Sequence, residues 1–297
     1  MSEFIRTRVS YDGNETRPQN YPDLPEPLEV GTYDNHTHLE IADGETPLSV
    51  EEHLSLMRQV NMLGAVQVGV TLESSIWSAQ VASENPMLLA AVALHPNEAP
   101  LYESRAALDD AISQIAELAR QPRVRAVGET GLDFFRTEGE KALALQMHSF
   151  ESHIEIAKEN DIALQIHDRE AHDEVVSTLK RVGSPEKVIL HCFSGDVTLV
   201  EIAKNNGWFI SFAGNITFKK NQYLRDALLA ADIRQVLIET DAPFLTPEPL
   251  RGRPNAPYLV PHTLRYMAEL LQVDVNRLAE QINRNTENAY GSWPEGI

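Results

Sequence analysis

Tyr33-Asp34-Asn35-His36-Thr37-His38 ends a short apolar run, Leu28 to Tyr33, with two histidines one residue apart. Side chains alternate along a strand, so these two imidazoles share a face and can share a metal ion. Taken alone, a His-x-His pair reads equally well as two ordinary surface or core histidines or as a metal site. The rest of the chain decides between these readings. Glu129, His167, His191 and Asp241 each stand where another short apolar run ends. Four histidines and two carboxylates gathered at strand ends suit a two-metal hydrolytic centre.

The runs recur in a regular order. β-rich stretches fall at Val30–Tyr33, Ala65–Val70, Leu88–Ala93, Val124–Val127, Ile162–Ile166, Val188–Leu190, Trp208–Phe212 and Val236–Ile238. Helical spacing separates them, as in Ala106–Ala119 and Leu143–Lys158, and closing helices are expected near Pro261–Leu271 and Val275–Asn283. Alternation of this kind implies parallel strands with right-handed crossovers, and eight units predict an α/β fold of the (β/α)8 TIM-barrel type. A doubly wound open sheet is the alternative. It is disfavoured because no G-x-G-x-x-G turn follows the first strand. In a barrel the chemistry lies at the C-terminal ends of the strands, and all six candidate ligands fall there.

Composition narrows the class. The 297 residues, 42% of them hydrophobic, are enough for one large barrel with a sizeable core. Residues 1–28 carry Pro18, Pro22, Pro25 and Pro27 without apolar periodicity and read as an extended arm, leaving 29–297 as a single barrel domain. No apolar run reaches the ~18 residues of a membrane span, and the N-terminus lacks the apolar core of a secretory signal. The single cysteine, Cys192, excludes an internal disulfide framework and fits a cytoplasmic location. The net charge of −19 argues against tight, non-specific nucleic-acid binding through the backbone. It leaves room for a nuclease, because bound divalent ions supply local positive charge.

Seven ordered blocks give the chain a resemblance. They are Asp34-x-His36-x-His38-Leu39, His95-Pro96, Gly128-Glu129-x-Gly131-Leu132-Asp133, His167-Asp168-Arg169-Glu170-Ala171, His191-Cys192-Phe193-Ser194-Gly195, Glu239-Thr240-Asp241-Ala242-Pro243-Phe244-Leu245 and Arg251-Gly252-x-x-Asn255. From about Tyr33 to Tyr290 the chain resembles the TatD family of metal-dependent hydrolases, within the amidohydrolase-type barrels. The resemblance implies a nuclease acting on DNA with two divalent ions, magnesium, manganese or zinc. It implies that His36, His38, Glu129 and Asp241 hold one metal, and that Glu129 bridges to a second held by His167 and His191. Glu40, Thr130 and Leu94 depart from the family's usual residues without removing a ligand.

The expected reaction is hydrolysis of a phosphodiester, with Asp241 and Glu129 as catalytic residues and Asp241 orienting or deprotonating the attacking water. Candidate substrate contacts are His95, Arg169, Arg251 and Glu239. Glu239 has a second reading, as the acceptor of a hydrogen bond from a ligand histidine. Arg136, Lys219, Lys220 and Arg253 add basic residues to the same rim, and Phe134 and Phe135 are candidates for base stacking. DNA or an oligonucleotide is the expected partner, single-stranded ends preferred, with no membrane and no obligate protein partner. The rival is a hydrolase of a small ester, lactone or amide on the same scaffold.

Overall fold

The computed structural model describes residues 4–8 and 17–293. Eight parallel strands follow one another around a barrel in chain order. They are β1 (Thr32–Thr37), β2 (Met62–Val68), β3 (Leu88–Val92), β4 (Val124–Asp133), β5 (Ala163–Arg169), β6 (Val188–Leu190), β7 (Phe209–Phe212) and β8 (Val236–Ile238). The helices outside them are α1 (Val50–Gln59), α2 (Leu72–Glu84), α3 (Arg105–Leu118), α4 (Glu140–Asn160), α5 (His172–Val182), α6 (Val197–Asn206), α7 (Gln222–Ala230), α8 (Val260–Leu271) and α9 (Val275–Tyr290). The architecture is the expected (β/α)8 barrel. Its seam closes above β8, where Thr37 bridges to Ala242 in parallel. There Asp241 N–H donates to His36 O and His38 N–H to Ala242 O, both at 2.9 Å.

Both faces of the strands are buried, as a barrel with an outer helix ring requires. Val66, Val68, Leu89, Ala91, Ala126, Ala163, Ile189, Phe209 and Leu237 fill the lumen, with Tyr290 and Trp293 packed against them. The alternate residues, among them Ala90, Val127, Leu164, Leu190, Ile210 and Ile238, pack outward beneath the helices. Each large aliphatic side chain removed from water contributes about 1.5–3 kcal/mol. Two side-chain amides within the lumen donate to main-chain oxygens. Gln165 Nε2 donates to Asn35 O at 2.8 Å, and Asn35 Nδ2 to Ile238 O at 2.7 Å.

Several elements outrun the apolar pattern. β1 begins at Thr32, not Val30, and runs through Thr37; β4 extends beyond Val127 to Asp133, and β5 beyond Ile166 to Arg169. Their upper ends are polar because they carry the site, and polarity masks strand continuation. α9 continues to Tyr290, past the expected Asn283, and in these last turns the polar Asn285 is buried and hydrogen-bonded. Asn285 Nδ2 there donates to Ile233 O at 2.8 Å and Val236 O at 2.7 Å.

Of the arm, residues 1–3 and 9–16 lie outside the described residues. Arg6–Thr7 adds a parallel strand to Ile41–Ala42, just past β1. Residues 17–29 follow the outside of the β8–β1 seam. Tyr258 Oη donates to Pro22 O at 2.6 Å, an Arg265 nitrogen to Glu26 O at 2.6 Å, and Leu28 N–H to Val60 O at 3.2 Å.

Two glycines in β4 admit β5 at close range. A Cβ on Gly128 would lie 2.5 Å from Gln165 Cβ. On Gly131, whose φ is +137°, it would lie 2.1 Å from His167 O. Gly131→Ala is therefore expected to destabilise the fold by about 3 kcal/mol, through a strained backbone and a clash beside His167. Thermal unfolding checks this, and an unchanged midpoint contradicts it.

Candidate metal centre

The lumen alternation explains half of the site directly. Ala163, Gln165 and His167 share one face of β5. Ile189 and His191 continue the lumen row of β6, and Leu237, Glu239 and Asp241 that of β8. β1 and β4 break this parity. Asn35 and Ala126 face the lumen, so regular alternation would turn His36 and Glu129 outward. Each strand carries a one-step irregularity at the right place. The register shifts between Asp34 and Thr37 against β2, and between Val127 and Thr130 against β5. Such slips re-aim side chains near functional sites.

All six predicted ligands converge. Glu129 Oε1 lies 2.7 Å from His167 Nδ1 and 3.1 Å from His191 Nε2. Its Oε2 lies 3.6 Å from His36 Nε2 and 3.8 Å from His38 Nε2. Asp241 Oδ1 stands 3.8 Å from His36 Nε2 and 3.6 Å from His38 Nε2. The Nε2 atoms of His36 and His38 are 3.1 Å apart, as suits two nitrogens each about 2.1 Å from one ion. Within the described residues, His36, His38 and Glu129 form one candidate ligand group, and His95, Glu129 and His167 another.

Partners behind the rings select the tautomers. His38 Nδ1 faces Val68 O at 2.9 Å, and a carbonyl only accepts, so Nδ1 carries the proton and Nε2 offers its lone pair. Glu239 Oε1 does the same for His191 Nδ1 at 2.9 Å and also accepts from Cys192 N–H at 2.8 Å. Asp133 Oδ2 faces His167 Nε2 at 3.2 Å, leaving Nδ1 toward Glu129. These carboxylates orient the ligands. His95 is wired the other way. Its Nδ1 accepts from Asn97 N–H at 3.0 Å, so the neutral ring presents Nε2–H to Glu129 Oε1, 3.3 Å away.

Electrostatics follow from burial and partners. Burial would raise Glu129, but His95, His191 and His167 hold its carboxyl well below the usual range. Burial opposes charge on His38, yet Asp241, Glu40 and Glu129 outweigh it and push that ring up to about 9. Burial and His191 push the adjacent His36 down to about 3. Without a metal, one proton thus serves this pair. His191 and His167 are raised against burial, chiefly by Glu239 and by Asp133 respectively. At the seam, burial lifts Asp34 to about 8, while hydrogen bonds from Thr240 Oγ1 at 2.5 Å and Thr240 N–H at 2.9 Å hold it back.

The expected substrate contacts divide. His95 reaches the cluster. Glu239 belongs behind His191 and is wholly buried, which corrects its place among the substrate contacts: the fully enclosed carboxylate has no open side. Arg169 lies over the Phe135 ring with Cζ 4.0 Å from its centroid, and Arg251 over Phe218 at 4.2 Å. Arg253 is taken up by the arm, donating to Asn20 O at 3.1 Å and Tyr21 O at 2.7 Å. Phe134 packs partly buried against the core, whereas Phe135 is exposed. Sequence reasoning gave no role to Asp133, although it follows Glu129 and Gly131 at a two-residue spacing that marks one strand face.

The TatD related DNase family matches residues 33–291. The chain belongs to the TatD family. It is 37% identical over 265 residues to an uncharacterized metal-dependent hydrolase, TatD, of Mycobacterium tuberculosis, covering 87% of this chain and 97% of that one. It is 31% identical to the uncharacterized metal-dependent hydrolase YcfH of Escherichia coli K12, covering 85% of this chain and 92% of the relative. Among solved structures, the TatD homolog YJJV of E. coli K12 superposes with a TM-score of 0.78 at 27% identity, covering 88% of this chain and 98% of that one. TatD membership makes this a metal-dependent hydrolase, and the cluster fits a metal. His38, His167 and His191 turn their ligating nitrogens inward, the cluster's anion is buried, and two nitrogens face each other at ligand spacing. No helix among the described residues is long and apolar enough to cross a membrane.

Ligation requires free lone pairs on rings that hold protons in the metal-free protein. Loading at pH 7 should therefore release protons, and affinity should rise as pH rises toward about 9, where His38 deprotonates unaided. Metal titration in weak buffer with a pH indicator tests this. Loading without proton release contradicts the assigned charge states.

Proposed function

We propose that this hydrolase is a deoxyribonuclease with two divalent ions, cutting phosphodiester bonds preferentially at single-stranded ends. The carrying observation is Glu129, whose Oε2 faces His36 and His38 while Oε1 faces His167 and His191. A single carboxylate set between two imidazole groups suits two ions that would otherwise repel. His36, His38 and Asp241 would hold one ion, His167 and His191 the other, with Glu129 shared. Bound there, divalent ions supply Lewis acidity, lowering the pKa of a water toward neutrality and neutralising charge on phosphoryl oxygens. Imidazole-rich donors favour zinc or manganese over magnesium.

The chain's own groups supply the rest. Asp241, part-exposed above β8, is placed to orient the attacking water and accept its proton. His95 offers Nε2–H as a donor to a phosphate oxygen. Arg169 on Phe135 and Arg251 on Phe218 present guanidinium groups backed by aromatic rings, a pairing suited to phosphate and base together. The family's description as TatD related DNases supports DNA as the substrate. The net charge of −19 favours the second reading, a small-molecule esterase, lactonase or amidase, because the ligand set polarises carbonyl and phosphoryl oxygens alike.

Single-stranded oligonucleotide with added manganese, beside a panel of lactones and esters, separates the two. Cleavage of the oligonucleotide, abolished by chelation and restored by manganese, is expected. Turnover of the panel with no cleavage under any divalent ion contradicts the nuclease. Glu129→Gln should lower the rate at least a hundredfold and the bound metal below two ions per chain. Two tightly held ions in that variant would show that Glu129 is not shared. Arg169→Ala and Arg251→Ala should each raise KM for oligonucleotide about tenfold with metal content unchanged, and should flatten its dependence on salt. Unaltered KM values would remove both from the substrate path.

A further inference from the structure

The segment Phe4–Arg8 lies outside the matched family range of 33–291. Its backbone joins the loop after β1, with Arg6 N–H donating to Glu40 O at 2.8 Å and Arg8 N–H to Ala42 O at 3.1 Å. Alternation then turns Phe4, Arg6 and Arg8 toward the barrel, where together they reach the elements after β1, β2 and β8. Phe4 meets Trp77 of α2, ring centroids 6.5 Å apart. Arg6 faces Glu40 of the β1 loop at 3.6 Å. Arg8 pairs with Asp43 at 3.0 Å, and its Cζ lies 5.3 Å from the centroid of Phe244, past β8. Arg17 also pairs with Asp43. Phe244 in turn stands against His38, with centroids 6.4 Å apart.

These contacts carry charge as well as shape. Glu40 and Asp43 are buried carboxylates within five residues of His38. Gln67 Nε2 donates to Glu40 Oε2 at 2.8 Å, while Glu40 Oε1 has no hydrogen-bond partner among the described residues. His38 already faces Glu40 from within the barrel, and the arm adds Arg6 beside Glu40 and Arg8 and Arg17 on Asp43, so docking the arm brings further cations to two buried carboxylates. Among the rings of the cluster, His36, His38 and His191 are 0%, 3% and 3% exposed, while His95 and His167 keep 13% and 18%; of the carboxylates, Asp241 keeps 16%.

We propose that Phe4–Arg8 is a strap that walls the β8–β1–β2 side of the mouth and restricts approach to the metals by size, so that bulky groups enter only from the His95–His167 side. The inference rests on the metal centre above and not on the identity of the substrate. Its test therefore avoids turnover. Zinc is withdrawn from the loaded full-length protein by pyridine-2,6-dicarboxylate, small and planar, or by bathophenanthroline disulfonate, bulky and of the same charge. Amide exchange of residues 38–45 is followed in parallel.

In Arg6→Ala/Arg8→Ala, withdrawal by the bulky chelator should quicken at least tenfold and that by the small one less than twofold. Exchange at 38–45 should rise at least tenfold. Phe4→Ala leaves both ion pairs in place and should quicken the bulky chelator severalfold, so it decides the matter if the double variant fails to fold. Equal rates for the bulky chelator in wild type and a folded variant overturn the proposal. So does equal acceleration of both chelators, which would indicate a loosened site instead of a removed wall. Failure of the nuclease reading would appear in the oligonucleotide assay and leave these rates untouched.

Discussion

Glu129 keeps its negative charge below the surface because imidazoles approach it from both sides: His167 and His191 at 2.7 and 3.1 Å from one oxygen, His36 and His38 at 3.6 and 3.8 Å from the other. An unpaired buried carboxylate costs several kcal/mol, so this anion is tenable only where strands from opposite sides of the barrel deliver their rings together. The site and the closure of the barrel are therefore one problem. His36 and Asp241 are tied by a backbone hydrogen bond across the seam, and Asp34 and Thr240 clasp the same junction. Anything that opens the seam separates the ligands.

Parity is the second constraint. A lumen row of alternate residues supplies the apolar floor and, continued upward, His167, His191, Glu239 and Asp241. His36 and Glu129 lie out of step with that row. The slips in β1 and β4 bring them in, and Gly128 and Gly131 let β4 pass close to β5 while it happens. Partners behind the rings then set the tautomers of His38, His95, His167 and His191. Glu239 and Asp133 turn lone pairs inward, and the reversed wiring of His95 makes it a donor among acceptors.

The acidic character of the chain is handled locally. Arginines of the arm cover Glu40 and Asp43 beside the first histidine pair, while Arg169 and Arg251 are held over aromatic rings on other parts of the rim. Formal charge summed over the chain thus says little about the field at the mouth. What counts is which carboxylates are neutralised and which arginines remain turned toward solvent.

The sequence by itself determined the barrel and which side chains gather at its C-terminal edge, because both are written in local pattern. Apolar runs at regular intervals define eight strands, and histidines or carboxylates at their ends define an edge. It also pointed to metal-binding chemistry, since residue type and strand-end position suffice to suggest it. Tertiary structure alone decided the strand slips, which leave no mark on hydropathy, and the continuation of β1, β4, β5 and α9 through polar residues. It also decided the roles of Glu239, Asp133 and Arg253. A carboxylate behind a ring, a guanidinium bound to the arm and a guanidinium open to a ligand look alike in sequence; they differ only in what lies opposite, hundreds of residues away along the chain in the case of Arg253 and the arm.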